Sequence, residues 1–207
     1  MTEPDVALTD FGLAVECGVF VWLLSRTRAS SRTIQFGFLL FFAGVGVAAF
    51  LGGVLHGFLA EVPTPIAEAV WLGILVCAGL SALACWAIGG KLLFGAKGAR
   101  RALLVGILLC VLYLAAVLFL FRDFRVVVVN SAVASLFLLA AFLRRRVLWG
   151  AAGAGLMLAA GALQEAGFGL HPVYFTRDAL YHVVVGIALA LIYRAAAALP
   201  ERTLESG

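Results

Sequence analysis

The sequence predicts an all-α integral membrane protein, a bundle of seven transmembrane helices, on three observations. Of 207 residues, 64% are hydrophobic and only 13% charged, where a soluble domain carries roughly 25% charged residues. Apolar runs recur down the whole chain, each near the ~20 residues that span ~30 Å of hydrocarbon. Lysine and arginine are confined almost entirely to alternate gaps between those runs. With a mean hydropathy of +1.11 and no long polar stretch, residues 1–207 form a single membrane domain.

The spans are expected at about 8–25, 34–58, 66–92, 102–121, 125–143, 147–168 and 178–198. The third is the longest and has room to tilt. Pro63 and Pro65 punctuate the second connection and Pro172 the sixth. The fifth span opens on the β-branched run Val126 to Val129, yet an open strand cannot satisfy its backbone in lipid, so a helix is expected there too.

The basic residues orient the bundle. Arg26, Arg28 and Arg32 lie in the first connection, and Lys91, Lys97, Arg100 and Arg101 in the third. Arg144, Arg145 and Arg146 follow in the fifth, with Arg194 and Arg202 at the end. These twelve share one side; only Arg122, Arg125 and Arg177 fall on the other. Positive loops stay in the cytoplasm, which gives an outside N-terminus, a cytoplasmic C-terminus and an odd number of spans. The expected location is a bacterial inner membrane. The net charge of +4 thus reads as topology anchors meeting anionic headgroups. No basic patch with interleaved aromatics and no Gly-rich phosphate loop is present, so no nucleic-acid partner is expected. The acidic start (Glu3, Asp5) is unlike a cleavable signal peptide.

The polar residues gather at the outer end. All three histidines, His56, His171 and His182, fall at that level with Asp10, Glu61, Glu68, Asn130, Gln164, Glu165 and Asp178. Ionisable groups at membrane depth are costly and so are functional candidates. Asp178 and His182 are four apart, hence on one helix face about a turn from each other. Adding His56 from the second span gives two imidazoles and a carboxylate, a set suited to Zn²⁺ with a position left for water. A nearby carboxylate would take the proton of that water; Glu68 is the first candidate, with Glu165 and Glu61 as alternatives. The plain alternative for Asp178 and His182 is a hydrogen-bonded pair. His171, in a loop before Pro172, is a weaker ligand candidate.

Other features have plainer readings. Trp71, Tyr174 and Tyr181 suit an interfacial belt. Glu16, in the first span, is expected to face the bundle as a structural partner. Cys17, Cys77, Cys85 and Cys110 read as small buried hydrophobes. Gly44, Gly46, Gly52 and Gly53, and in the sixth span Gly150, Gly153, Gly155 and Gly161, suit close helix packing.

The stretch Phe50-Leu51-Gly52-Gly53-Val54-Leu55-His56-Gly57, and the stretch Asp178-Ala179-Leu180-Tyr181-His182 running on to Tyr193-Arg194, resemble the second-span and seventh-span motifs of the CREST superfamily. That group includes alkaline ceramidases and progestin and adipoQ receptors. The resemblance implies a seven-span zinc amidase or esterase, with His56 and His182 as ligands. Asp178 stands where the family carries a further histidine and Gly52 where it carries a serine; Glu68 lies near the place of its aspartate.

The function expected is a zinc-dependent membrane hydrolase acting on a lipid amide or ester near the extracytoplasmic face. The alternative is a non-enzymatic sensor, lipid-binding or assembly protein on the same scaffold. A retinal protein is excluded because no span carries an interior lysine: Lys91 and Lys97 lie at the inner end of the third span and beyond. Three histidines at one level argue against a di-haem cytochrome.

Overall fold

The computed structural model describes residues 2–27, 31–61, 64–120, 123–172 and 174–202, with side chains to 199. Arg28, Pro63, Arg122 and the side chain of Arg202 lie outside the described residues. Seven helices account for nearly all of it: α1 (Pro4–Arg26), α2 (Arg32–Val54), α3 (Pro65–Leu93), α4 (Ala96–Phe119), α5 (Phe124–Arg144), α6 (Leu148–Glu165) and α7 (Arg177–Arg202). Among the described residues there is no strand, only an isolated bridge between His171 and Phe175. Six helices are long and apolar enough to cross a membrane. The exception, α6, has 18 residues, diluted by four glycines and by Gln164-Glu165 at its end.

Local chemistry sets the helix ends. Pro4 and Pro65 occupy first turns, where the missing N–H costs nothing. The side chains of Ser31, Thr64 and Asp123 accept from Ile34, Ala67 and Arg125 amides at 3.4, 3.1 and 3.0 Å, satisfying donors that have no intrahelical partner. At the far end of α6 the chain turns through Gly167 at φ +69°, and Phe168 N–H returns to the Leu163 carbonyl. This is the left-handed stop that glycine permits. Arg146 takes the same region at φ +56° between α5 and α6.

α2 does not end cleanly. Its last turn, Leu55–Leu59, is a π-helix, the wider turn that helices tend to use at functional positions. His56 sits in it.

Six helices close a ring in the order α1, α2, α3, α5, α6, α7 and back to α1, with α4 packed outside against α3. The core of this ring holds Phe38, Phe42, Phe142, Leu189 and Ile192, each at most 1% exposed. A smaller cluster of Leu75, Tyr113, Val117 and Val127 joins α3, α4 and α5. Glycines let backbones approach: a Cβ on Gly153 would lie 2.7 Å from the Ala188 carbonyl oxygen across the α6–α7 seam, the packing role expected for small residues in lipid.

Candidate functional site

The ring brings together the N-terminal ends of α1 and α7 and the C-terminal ends of α2 and α6. α1 contributes most of the polar contacts there, because Glu3, Asp5, Thr9 and Asp10 occupy its start and first two turns.

Asp10 is 4% exposed, the one buried ionisable carboxylate or base among the described residues. Its Oδ1 lies 3.3 Å from Nε2 of His182. The other ring nitrogen, Nδ1, lies 3.1 Å from Thr9 Oγ1. The Thr9 hydroxyl also lies within hydrogen-bond distance of main-chain carbonyls of its own helix, those of Val6 at 2.9 Å and Asp5 at 3.0 Å, so the direction of its bond to Nδ1 follows the imidazole tautomer.

Gly52 makes this possible. A Cβ there would stand 2.6 Å from Asp10 Oδ2, and one on Gly53 would strike the ring of Phe11. The carboxylate of Asp10 thus occupies the space a side chain at position 52 would take.

His56 is held from the start of α1. Its Nδ1 pairs with the Glu3 carboxylate, and its carbonyl accepts from Glu3 N–H at 3.2 Å. On the other flank, Asp5 accepts from Thr176 N–H at 3.0 Å and from its hydroxyl at 2.8 Å, tying α1 to the start of α7. His56, Asp178 and Asp5 all lie within electrostatic reach of His182, and Asp178 within reach of Asp10.

The residues singled out from the sequence are placed as follows. His56, Asp178 and His182 share one end of the bundle, as expected. It is Asp10 that faces His182, however, while Asp178 accepts from the Gln164 amide and lies 3.6 Å from Arg177. Glu165 lies 3.8 Å from Arg125. Glu68 is exposed in the first turn of α3, where its charge also suits the helix dipole, and Glu61 is exposed. His171 is exposed in the α6–α7 connection, its Nδ1 accepting from Tyr174 N–H at 3.1 Å. Glu16 faces α7, where a Cβ on Gly186 would stand 3.0 Å from its Oε2. Asn130 Nδ2 and Gln164 Oε1 are buried without a hydrogen-bond partner.

Among the described residues, no three His, Cys, Asp or Glu side chains already surround one point with metal-binding geometry. What is present is a pair, Asp10 with His182, and a third donor, His56, on the adjoining helix.

A family model described as "Family of unknown function (DUF6962)" matches residues 6–201. The chain belongs to that family. No curated protein and no solved structure matches the chain significantly. The matched region of this DUF6962 member takes in Thr9, Asp10, Gly52, His56, Gln164, Asp178 and His182, and leaves out Glu3 and Asp5.

Thr9 and Asp10 were not legible as partners of His182, because the pairing crosses 172 positions of chain. One signal was available. A glycine one turn before a candidate ligand histidine leaves a space, and a buried polar side chain from another helix is a natural filling.

Proposed function

We propose that this chain is an integral-membrane, metal-dependent hydrolase of lipid amides or esters. In this reading it has seven spans, an outside N-terminus, a cytoplasmic C-terminus and a site near the outer face of a bacterial plasma membrane. The ion is zinc, on the nitrogen and oxygen character of the donors. Asp10 and His182 hold it, with His56 as the third donor.

The observation that carries this reading is the approach of Asp10 Oδ1 to His182 Nε2 at 3.3 Å. A carboxylate oxygen and an imidazole nitrogen facing each other in a low dielectric hold either a proton or a metal cation between them, and the separation favours the metal. Charge-assisted N–H···O⁻ bonds are shorter, about 2.7–2.9 Å. Ligand bonds of about 2.0–2.1 Å at tetrahedral angles place neighbouring zinc ligands about 3.3 Å apart.

When bound, zinc would polarise a scissile carbonyl and make water nucleophilic at neutral pH. The protein's own part is distinct. Thr9 fixes the ring of His182, Gly52 leaves Asp10 its place, and the packed helices keep bulk water from the pair. Asp178, at the same end of the bundle beside Gln164 and Arg177, and Glu68, the candidate from sequence, are the carboxylates proposed to hold a proton beside the substrate. The CREST resemblance supports the same class of chemistry, with Asp10 filling the space of the missing serine side chain.

The test is elemental analysis of protein purified without chelator, together with fatty-acid release from N-acyl and O-acyl lipids. One zinc per chain, lost in Asp10→Ala and in His182→Ala, is expected. A protein that stays metal-free when offered zinc overturns the reading.

The absence of a ready trio among the described residues favours one competing reading, a non-enzymatic sensor or lipid-binding protein whose Asp10–His182 pair holds only a proton. Lipid retention without zinc and without hydrolysis would select it.

A further inference from the structure

α6 is the shortest of the seven helices. Its 18 residues rise about 27 Å at 1.5 Å each, against about 30 Å of hydrocarbon. Each of the other six has at least 21 residues. The start of α6 is not free to shift toward the site end. Arg144, Arg145 and Arg146 stand just before it, Arg145 donates to the Leu92 carbonyl, and the Arg194 guanidinium lies over the Trp149 ring in its first turn. Cations and tryptophans in such places hold a helix end at headgroup level. The other end of α6 therefore stops short of the opposite headgroups.

The chain that follows suits that depth better than water. Phe168, Leu170 and Tyr174 are 54%, 66% and 79% exposed, three large apolar side chains in one short connection, and such clusters mark a contact surface. The backbone there is closed on itself. Phe168 N–H bonds the Leu163 carbonyl at 3.3 Å, His171 N–H the Phe175 carbonyl at 2.9 Å, and Tyr174 N–H the His171 Nδ1 at 3.1 Å. A Cβ on Gly169 would stand 2.8 Å from the Arg177 amide nitrogen, so the connection folds tightly onto the start of α7. Asp5 pins that start through Thr176. Irregular backbone next to hydrocarbon is tolerated only where its polar groups are satisfied.

We infer that the α6–α7 connection docks into the lipid surface at the site end of the bundle, with Phe168, Leu170 and Tyr174 at the boundary between headgroups and acyl chains. It completes the crossing that α6 is too short to make. Tyr174 fits that level, with an apolar ring and a hydroxyl that reaches water. This rests on the seven-span reading above and needs no metal.

The experiment places a nitroxide at single cysteines, Phe168→Cys, Leu170→Cys and Tyr174→Cys, in the full-length chain in phosphatidylcholine nanodiscs with one chain per disc. Two references accompany them: Leu108→Cys, 58% exposed midway along α4, and Glu61→Cys, exposed at the site end. Collision with oxygen, which concentrates in lipid, is read against collision with a water-soluble nickel chelate. Labelled wild type sets the background, its cysteines being buried or half-buried. The oxygen-to-nickel ratio at the three connection sites should lie severalfold above that of Glu61→Cys and below that of Leu108→Cys. A second measurement needs no nitroxide: with ¹³C-labelled tyrosine, the ring signal lost in Tyr174→Phe should show cross-relaxation with lipid protons.

Ratios equal to that of Glu61→Cys, or a Tyr174 ring that relaxes only with water, overturn the inference and leave the connection in solvent. Low collision with both reagents overturns it too, because a protein surface would then cover the connection in place of lipid. If Leu108→Cys meets the nickel chelate as Glu61→Cys does, the span reading fails and this inference with it. A lipid-immersed Leu108→Cys beside a wet connection sinks this inference alone.

Discussion

At 4% exposure, the Asp10 carboxylate faces His182 and the bare backbone at Gly52. Removing one member of a buried pair leaves the other uncompensated, a loss of about 3–5 kcal/mol. Asp10→Ala and His182→Ala should each destabilise the metal-free protein on that scale in micelle unfolding. The double change Asp10→Leu with His182→Leu should cost less than the sum of the two, because no orphaned charge remains. Additive losses would mean the two side chains do not act as a pair. Gly52 makes a second prediction on the same atoms. Gly52→Ala places a methyl 2.6 Å from Asp10 Oδ2 and should cost about 1–3 kcal/mol by overpacking. On an Asp10→Ala background the penalty should nearly vanish, and a double-mutant cycle reads the difference. The pairing also shows where sequence reasoning stops at this scale. The spacing of four between Asp178 and His182 puts both in the first two turns of α7, at one end of the bundle. Spacing along one helix says nothing of which neighbour each side chain meets, and here Asp178 meets Gln164 while His182 meets α1.

The seven helices were legible in the sequence to within about six residues at their ends, because in lipid one property, sustained apolarity, sets each element's existence and length. Expected spans at 34–58 and 125–143 became Arg32–Val54 with its π-turn to Leu59, and Phe124–Arg144. The π-turn itself left no trace in hydropathy, which is blind to a one-residue change in winding. What fixes one helix against the next is finer still. Tyr113 of α4 donates to the Leu75 carbonyl of α3 at 2.8 Å, one of the few polar ties of the outlying helix. Tyr113→Phe should cost about 0.5–1.5 kcal/mol without altering the α1–α7 contacts, and thermal unfolding in micelles measures it. Gly153 is the stricter case. Its missing side chain lets α6 approach the Ala188 carbonyl, backbone that cannot rotate away, so Gly153→Val must part α6 from α7. Because Gln164 on α6 holds Asp178 on α7, that change should weaken fold stability and, on the proposed metal reading, zinc binding as well. Zinc affinity equal to wild type in the folded fraction would separate the seam from the site.

A closed ring of six helices with α4 outside it has a consequence for the whole molecule: both ends of α1 are committed to neighbours, so its direction across the bilayer is shared by α3, α5 and α7. The distribution of basic residues then gives the expectation of which end faces the cytoplasm. Arg145 donates to the Leu92 carbonyl, and Arg26 and Arg194 lie over Trp22 and Trp149 at 4.3 and 3.9 Å. The guanidinium groups of Arg26 and Arg194 thus lie on ring faces at the same end as Arg145, the interfacial posture expected of inner-leaflet anchors. The acids and histidines of the site occupy the opposite end. An impermeant maleimide applied to intact cells should therefore modify Glu61→Cys, which is exposed beyond the π-turn, and spare Lys97→Cys, exposed at the start of α4, until the membrane is broken. Native cysteines give little background, since Cys17, Cys85 and Cys110 are buried and Cys77 half-buried. The converse pattern would turn the bundle over and place Asp10, His56 and His182 at the cytoplasmic leaflet. The metal reading would survive that result. The source of the substrate would change, because a site beneath the inner leaflet draws on cytoplasmic lipids and cytoplasmic zinc.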